Sequence, residues 1–301
     1  MKSTVLLICL VAAVGLRSAT DSKSDDRGTD KSPPKPDRSD KFIGKEAGQV
    51  RDDNVLKMKL VWCPPGKFTM GSPPSEQGRI NNEDQVNVTL TNGFWLGKYE
   101  VTQSEWKQVM KTEPWKEKAF TKEGEDFPAT FVSWDGATDF CRKLTEQERQ
   151  AGRLPKDWEY TLPTEAQLER ACRGRTETKF SFGDDESKLG HYAWFLDNTW
   201  KAHEQHAHRV GQKKANPWGL FDMHGNVWEW CRDIYTDKPP GGRDPEAKSD
   251  ENTASPRVFR GGSWLDEAAD CRSRYRGKKH PDFGNYNDGF RPALNSVQPV
   301  K

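Results

Sequence analysis

The sequence predicts an α+β domain with little regular secondary structure. Three observations lead to this fold class: strand-like segments open the domain, three short helices with capping residues follow, and the second half is rich in residues typical of loops. Residues 175–300 hold many Gly, Pro, Asn, Asp and Trp residues but only brief periodic runs. We therefore expect aromatic packing and bound ions, more than long elements, to organise this half.

Two pairs of strands are predicted at the start of the domain. Residues 56–62 alternate apolar and polar side chains, Cys63-Pro-Pro-Gly66 is typical of a turn, and residues 67–70 resume the strand pattern. These segments predict a hairpin. Residues 86–90 and 93–99 predict a second strand pair.

Three helices are predicted from their capping residues. Thr102, with Glu105 three residues later, begins the first helix as a capping box, and Ser133 caps the second. The third helix lies within residues 162–172 and is either capped by Thr164 or entered through Pro163. The apolar face of the second helix is expected to carry Ala137, Phe140, Cys141 and Leu144.

The first 54 residues are predicted to lie outside the folded unit. Residues 1–19 resemble a secretory signal, with a positive charge at Lys2 followed by an apolar stretch too short to span a bilayer. We expect export to a periplasmic, extracellular or secretory compartment, with cleavage and no membrane insertion afterwards. Residues 20–54 are polar and rich in Pro, Ser, Asp and Lys, which is typical of a disordered spacer. The folded domain is expected to cover residues 55–299.

The charge balance excludes an electrostatically driven partner. The chain has 47 Lys and Arg residues against 46 Asp and Glu residues, mixed along the sequence. Nucleic acids and anionic membranes recruit proteins through an excess of basic side chains. We therefore predict that the protein binds neither.

Three blocks in the second half carry a specific resemblance to a known family. They are Gly219-Leu-Phe-Asp-Met-His-Gly-Asn-Val-Trp-Glu-Trp230, Arg260-Gly-Gly-Ser-Trp264 and Gly289-Phe-Arg291. With landmarks such as Leu162-Pro-Thr-Glu165 upstream, the chain resembles the formylglycine-generating enzyme, or sulfatase-modifying factor, family over about residues 58–295. The resemblance implies an irregular fold related to C-type lectins.

The same resemblance raises a question about copper. In enzymes of this family, two cysteines five residues apart bind Cu(I) and oxidise a substrate cysteine. Counted from Gly261, the two positions are Asp266 and Cys271 in this sequence. Because Cu(I) prefers thiolates and a carboxylate suits hard cations, Asp266 is a poor substitute. Cys271 and Ser263 remain as candidate catalytic residues, although no histidine partner for a nucleophilic serine is evident.

The resemblance leaves three uses open for Cys271. It could form a disulfide with Cys231, which export would favour, or both could be free buried thiols. A displaced copper site made by Cys231 and Cys271 is the third alternative. Cys141 and Cys172 are interpreted as small core side chains, because both lie on apolar helix faces.

A calcium site is predicted at the turn between Asp222 and Glu229. The family resemblance assigns these two carboxylates, with the backbone carbonyls of Gly225 and Val227, to a calcium ion. Two carboxylates plus carbonyl oxygens from a sharply turning chain form a suitable ligand set for a hard divalent cation. The alternative is that Asp222 and Glu229 form ordinary salt bridges or hydrogen bonds.

A peptide groove is also implied by the resemblance. Trp228 and Ser263 match residues that line the substrate groove of the family, and Trp264 is expected to form a wall of the same region. Such a groove would bind an extended peptide or protein ligand, and a sulfatase-like protein is one candidate. For each tryptophan, ordinary core packing is the competing interpretation.

Three functional hypotheses follow from these residues. The preferred one is an exported, calcium-stabilised domain that binds a peptide, a protein or another ligand and lacks the standard copper oxidase activity. The alternative is an oxygen- and copper-dependent oxidase that converts a sulfatase cysteine to formylglycine with Cys271. A third hypothesis places a different oxidation at the histidine loop, His203, His206 and His208, with non-haem iron as the metal; the same loop could alternatively hold zinc.

Overall fold

The computed structural model describes residues 41–248 and 254–297. The predicted signal sequence and the first half of the predicted spacer lie outside these residues. Within the described ranges the chain forms short helices and three small sheets, which confirms the predicted α+β class. The elements in chain order are β1 (Val50–Arg51), β2 (Leu60–Cys63), β3 (Gly66–Met70), β4 (Val86–Leu90), β5 (Phe94–Gly97), α1 (Gln103–Met110), α2 (Trp134–Gln150), β6 (Trp158–Thr161), α3 (Glu165–Arg173), β7 (Trp228–Ile234), β8 (Gly242–Arg243), β9 (Arg257–Arg260), β10 (Gly277–Lys279), β11 (Asp288–Gly289) and β12 (Ala293–Ser296).

A five-stranded sheet holds the main core. Its strand order is β1-β2-β5-β12-β6, so the last strand, β12, lies between two strands that come much earlier in the chain. Ala293 pairs with Leu96 of β5 on one side and with Thr161 of β6 on the other, both antiparallel. The sheet is therefore complete only when distant parts of the sequence meet.

The two predicted hairpins are wrong in their pairing. Strand β2 pairs with β5, with Cys63 opposite Phe94, and β3 pairs with β4, with Gly66 opposite Leu90. Residues 60–70 thus run antiparallel to residues 86–97, and the chain changes sheet at the breaks. The physical reason lies in Pro64 and Pro65: proline lacks the backbone N–H that a ladder needs, so the pair interrupts a strand here and does not close a tight turn.

The folded unit begins earlier than Val55. Strand β1 pairs with β2, and Phe42 is buried in the main core, where its carbonyl accepts a hydrogen bond of 2.6 Å from the indole of Trp95. Phe42 and Val50 are among the few large apolar residues in a polar segment. Composition averaged over residues 20–54 therefore hid one anchoring side chain, Phe42, and the short strand β1.

The three predicted helices are present with their predicted caps. Thr102 and Glu105 form a complete capping box on α1, and the Ser133 hydroxyl accepts from the Gly136 N–H at the start of α2. Thr164, and not Pro163, caps α3, with Gln167 completing a second capping box. The expected apolar face of α2 is buried. No helix among the described residues is both long enough and apolar enough to cross a bilayer.

A second sheet, with the order β10-β9-β7-β11, carries the residues around the candidate site. Its longest strand, β7, begins at Trp228, in a stretch whose sequence predicts only a turn and a groove. The first four residues of β7, including Glu229, are all buried. A buried charge on one face concealed the strand pattern, because alternation of apolar and polar residues marks only strands with one solvated face.

Buried ion pairs tie α3 to this second sheet. Glu165 at the start of α3 accepts hydrogen bonds from Arg260 at 2.8 Å and from Arg276 at 2.5 Å. Arg260 also contacts Glu169, one turn further along the helix, at 2.8 Å. All four side chains are almost completely inaccessible. The helix is therefore attached to the sheet by buried ion pairs, in which each charged group contacts an opposite charge and not water.

Candidate functional site

The turn between Asp222 and Val227 connects the sheet to three surrounding loops. Asp222 and Asn226 have left-handed backbone conformations, with φ of 58° and 68°, which Asp and Asn tolerate better than most residues. Gly225 is needed for a different reason: an added Cβ would lie 2.2 Å from the carbonyl oxygen of Trp194. The buried Asn226 amide bonds to the backbone of His208, which fixes the turn against a neighbouring loop.

Negative charge is concentrated beneath this turn. Arg291 donates to both oxygens of Glu229 at 2.6 Å, and the Gly211 N–H donates to one oxygen of Asp222 at 2.7 Å. Burial raises the pKa of Asp222 to about 6, and burial together with the Asp222 charge raises the pKa of Glu100 well above its usual range. Three buried carboxyl groups therefore share one buried guanidinium.

The predicted calcium ligands are partly free to bind an ion. The second oxygen of Asp222 has no hydrogen-bond partner, whereas both oxygens of Glu229 are engaged by Arg291. No group of three His, Cys, Asp or Glu side chains in the described ranges is placed to hold a metal. A calcium ion here would rest on Asp222 and on backbone carbonyls such as those of Gly225 and Val227. Glu229 could contribute only by sharing its carboxylate with Arg291.

Ser263 is fully engaged in hydrogen bonds. Its hydroxyl donates to Asp266 and accepts from the Asn287 side chain at 3.1 Å and from the Leu265 N–H at 3.3 Å. None of these partners is a histidine that could take up its proton. In this arrangement Ser263 connects the Gly-Gly-Ser turn to the neighbouring loops and is not set up as a nucleophile.

Asp266, at the first cysteine position of the family, is held as a partly buried acid. Besides the Ser263 hydroxyl, it is hydrogen-bonded by the Trp228 side chain, and its carbonyl accepts from the Leu196 N–H at 2.9 Å. Burial, reinforced by the nearby charge of Asp270, raises the pKa of Asp266 to about 6. The carboxyl therefore changes its charge close to neutral pH.

This pKa gives a stability prediction. Because the folded-state pKa is higher than the ordinary value of 3.8 for an aspartate, the stabilising contribution of Asp266 is complete below about pH 4 and is lost as the pH rises through about 6. Between pH 4.5 and 7.5 the loss should be about 2 kcal/mol, at about 1.4 kcal/mol for each pKa unit. Urea unfolding at both pH values should show a smaller difference for Asp266→Asn than for the parent protein. Asp126→Asn, a substitution at an exposed carboxylate, should leave the difference between the two pH values unchanged. The same difference in all three proteins would contradict the raised pKa of Asp266.

The five described cysteines are all free and buried. The disulfide between Cys231 and Cys271 is therefore not formed, and the two residues lie in different core clusters. Burial, then the charges of Asp266 and Asp270, raises the pKa of Cys271 well above its usual range. Because a thiolate is the form that binds copper, Cys271 does not fit a copper site as it stands.

Cys172 on α3 and the backbone of Cys271 both contact the ring of His224. The Cys172 thiol is 3.8 Å from Nδ1 of His224, and the same Nδ1 is 2.9 Å from the Cys271 carbonyl oxygen. Nε2 of His224 accepts from the Ser181 N–H at 3.1 Å. Burial lowers the pKa of His224 to about 4, so the imidazole is neutral at physiological pH. The network assigns the ring proton to Nδ1 and leaves both thiols as packed, inaccessible groups.

The predicted groove residues lie beneath the surface. Ser263 and Trp264 are 0% exposed, and Trp228 is 5% exposed. Above Trp264, however, Phe120 is 39% exposed and Trp200 is 36% exposed. The ring centroids of Trp200 and Trp264 are 6.1 Å apart and nearly parallel, and those of Phe120 and Tyr286 are 5.2 Å apart. We call Phe120, Trp200, Trp264 and Tyr286 the aromatic surface.

Sequence reasoning missed three members of this surface, namely Phe120, Trp200 and Tyr286. Each is an isolated aromatic residue in a polar loop, without the periodicity that marks an element. One feature of the sequence could have indicated the surface: Phe120 is the only large apolar side chain between Trp115 and Phe127. Its φ is 58°, an unusual conformation for a bulky residue, and such strain is concentrated at functional sites.

The histidine loop is packed through contacts between its own side chains and Trp194. His208 stacks on Trp194 with ring centroids 3.8 Å apart, and its Nε2 contacts Glu204 at 2.5 Å. His206 lies beside it at 4.9 Å between centroids. Burial lowers the pKa of His208. These contacts make the loop a packed support for the Asn226 turn.

Comparison with known proteins identifies one family for most of the chain. The model of the sulfatase-modifying factor enzyme 1-like domain matches residues 46–296. Chaperone protein LppX of Paenibacillus barcinonensis is 30% identical over 230 residues, which cover 64% of this chain and 76% of that protein. Formylglycine-generating enzyme of Mus musculus is 26% identical over 302 residues and is covered to 76%.

Structural similarity supports the same fold. The structure of PvdO from Pseudomonas aeruginosa superposes with a TM-score of 0.72 at 23% identity, covering 84% of this chain and all of that one.

A further sequence match is a serine/threonine-protein kinase, pkn1 of Chlamydia caviae. It matches 84% of this chain at 25% identity, but the match spans only 40% of the kinase. The matching domain thus occurs in proteins with quite different names.

Proposed function

Because the chain belongs to the sulfatase-modifying factor enzyme 1-like family, we propose that it is an exported domain that binds a peptide or protein ligand without the standard copper oxidase activity. Family membership by itself does not decide between binding and catalysis, because one fold carries several functions. The decision rests on the residues at the site.

The observation that carries the proposal is the state of Asp266. Its carboxyl is bound by Ser263 and Trp228, so an oxygen donor fills the place of the first copper-binding thiolate. The second position, Cys271, is a buried thiol whose pKa is raised. A linear two-sulfur copper site cannot be built from this pair.

The aromatic surface is the proposed ligand-binding face. Exposed Phe120 and Trp200 offer large, rigid rings next to Trp264, at the edge of the region that corresponds to the family's peptide groove. Aromatic side chains of this kind contribute strongly to binding because they bury much area and lose little conformational entropy. An extended segment with an apolar side chain fits such a face.

The test uses a fluorescent peptide with the sulfatase-type sequence Cys-x-Pro-x-Arg. Binding is measured by anisotropy, and conversion of the cysteine by mass spectrometry after incubation with Cu(I) and oxygen. We expect binding without conversion. Trp200→Ala and Phe120→Ala should each weaken binding about tenfold or more, which is the usual effect of removing an aromatic anchor. Ile43→Ala removes an apolar side chain that is 57% exposed outside the aromatic surface and should have no effect.

The alternative function has a distinct outcome in the same experiment. Copper-dependent conversion of the peptide that is abolished by Cys271→Ser would replace the binding proposal with an oxidase that uses Cys271. Absence of both binding and conversion would reject a sulfatase-like peptide as the ligand. Cys172 is a second buried thiol close to Cys271, because both residues contact His224. Cys172→Ser is therefore measured alongside Cys271→Ser, to show which of the two thiols conversion requires.

Calcium is proposed as a stabilising ion beneath the Asp222 turn. An ion that binds only the folded protein at one hundred times its Kd adds about 2.7 kcal/mol to the free energy of unfolding. Thermal unfolding in calcium should therefore occur several degrees higher than in EDTA. Asp222→Asn should remove the difference, because it deletes the carboxylate charge whose second oxygen is unpartnered.

Two features make this calcium test specific. Asparagine tolerates the left-handed backbone at position 222 and can still accept from the Gly211 N–H, so the turn itself should persist. Glu204→Gln, an exposed carboxylate change in the histidine loop, should retain the calcium effect. Identical unfolding temperatures in calcium and EDTA for the parent protein would refute the site.

Export is proposed from the first 19 residues of the sequence. A positive charge, an apolar stretch and small residues in that order are the features a secretory signal needs. Direct determination of the first residue of the protein purified from its source should place it after residue 19. A protein that retains Met1 or its neighbours inside the cell would contradict export.

A further inference from the structure

We propose that a basic pocket at the end of α3 binds a small, doubly charged oxyanion, either as a free phosphate or sulfate ion or as the monoester end of a larger ligand. The pocket has a volume of about 230 Å³ and lies between β3 and the last turn of α3. Four of its lining residues are cationic, namely Lys67, Arg170, Arg173 and Arg175, and Glu177 is its single acid.

Three of the four cations in this pocket have no carboxylate partner among the described residues. Arg173 has a carboxylate partner, Glu169, at 2.7 Å. Arg170, Arg175 and Lys67 form no ion pair with any residue in the ranges 41–248 and 254–297. Burial, followed by repulsion from Arg175, lowers the pKa of Arg170. Three like charges around one small cavity repel one another unless an anion lies between them.

Arg170 is fixed in position before any ligand arrives. Its guanidinium donates to the carbonyls of Pro64 at 3.3 Å, Pro65 at 3.2 Å and Lys67 at 3.3 Å, and it lies over the ring of Trp218 at 5.5 Å. The Pro-Pro break between β2 and β3 thus presents a row of acceptors that orients the guanidinium. Gly66 makes this approach possible, because an added Cβ would lie 2.3 Å from Arg170 Nη2.

The local structure accounts for part of this arrangement but not for all of it. Arginines in the last turn of a helix are stabilised by its dipole, by about 0.3–1 kcal/mol each, which explains Arg170 and Arg173. Arg175 follows the capping Gly174 and lies outside the helix, with a φ of 88°, and Lys67 comes from a different element. Neither of these exposed cations is required by the helix, yet both border the same cavity.

The volume and the charge together select the ligand class. Pockets that enclose drug-sized molecules usually measure about 300–1,000 Å³, so this cavity suits a small ion or one terminal group. Guanidinium groups bind oxyanions through several directed N–H donors. A dianion also neutralises more of the excess positive charge than a singly charged carboxylate does. The pocket shares no residue with the aromatic surface.

Isothermal titration calorimetry at constant ionic strength tests the proposal. The probes are inorganic phosphate, inorganic sulfate and phenyl phosphate, with acetate as the monoanion. We expect saturable binding of one dianion per chain, with acetate much weaker. The double variant Lys67→Gln/Arg175→Gln should raise the Kd about tenfold or more, because it removes two charged donors from exposed positions. Arg142→Gln/Lys143→Gln on α2 removes the same net charge elsewhere and should bind like the parent protein.

The outcomes separate the ligand sources and allow rejection. Tighter binding of phenyl phosphate than of the free ions identifies the end group of a larger ligand, and equal or weaker binding identifies the free ion. Absence of saturable binding, or an equal loss in both double variants, overturns the proposal, since the effect would then come from overall charge. Binding of the fluorescent peptide to the aromatic surface should remain unchanged in Lys67→Gln/Arg175→Gln, so failure of one proposal is distinguishable from failure of the other.

Discussion

Glu165→Gln is expected to lower the free energy of unfolding by about 3–5 kcal/mol, the usual cost of removing one partner from a buried ion pair. Glu165 accepts from Arg260 and Arg276, and the Arg276 Nη2 contact to its second oxygen is 2.9 Å. Glutamine keeps the shape of the side chain but leaves two guanidinium groups without their main counter-charge in an interior where water cannot replace it. Arg276 should be affected more, since Arg260 retains Glu169.

Urea unfolding followed by tryptophan fluorescence measures this effect. The matched control is Glu146→Gln on α2, whose ion pair with Arg142 is exposed on both sides, and it should change stability by less than about 0.5 kcal/mol. A loss of less than about 1 kcal/mol for Glu165→Gln would mean that the two arginines find other partners or water. That result would remove the ion pairs as the attachment of α3.

Arg291→Lys is expected to lower the free energy of unfolding by about 3 kcal/mol. Arg291 is fully buried, makes two hydrogen bonds with Glu229, and donates to the carbonyls of Gly97 and Phe221. Lysine retains the charge but cannot reproduce the planar, forked geometry that meets a carboxylate and two separate carbonyls at once. Several acceptors would therefore lose their donor.

Repeating the unfolding measurement with calcium and with EDTA extends this prediction to the proposed ion. Loss of the fork frees Glu229, so calcium should recover part of the stability of Arg291→Lys and should do so more than in the parent protein. Arg142→Lys on the surface of α2 serves as the control and should show neither effect. Equal stability of Arg291→Lys and the parent protein would contradict the structural role of the guanidinium.

Local signals made the helices predictable. The caps Thr102, Ser133 and Thr164 act within three residues of themselves, so the sequence alone contains the whole interaction. Pairing of the strands was not predictable in the same way. Pro64 and Pro65 fit a tight turn as well as a strand break, and only the partner strands β4 and β5 decide between the two.

The candidate site was predicted in part, for a similar reason. Family landmarks placed Asp222, Ser263 and Trp264 in one region, where they are connected through the Asn226 turn. The charge partners could not be found from spacing, because Glu165 is 95 residues from Arg260 and 111 residues from Arg276. The exposed rings of Phe120 and Trp200 were not predicted, because neither residue belongs to a periodic pattern in the sequence. Long-range electrostatics and isolated aromatic side chains depend on the folded shape, which a linear pattern does not contain.

The position of β12 has a consequence for synthesis of the protein. Because this strand fills the gap between β5 and β6, a nascent chain that has not yet reached residue 293 presents two unsatisfied strand edges to any neighbouring polypeptide. The main sheet therefore cannot form strand by strand as the chain leaves the ribosome. We expect it to form in one late, cooperative step after β12 has been synthesised. A chain with this topology keeps its main sheet incomplete until translation is nearly finished.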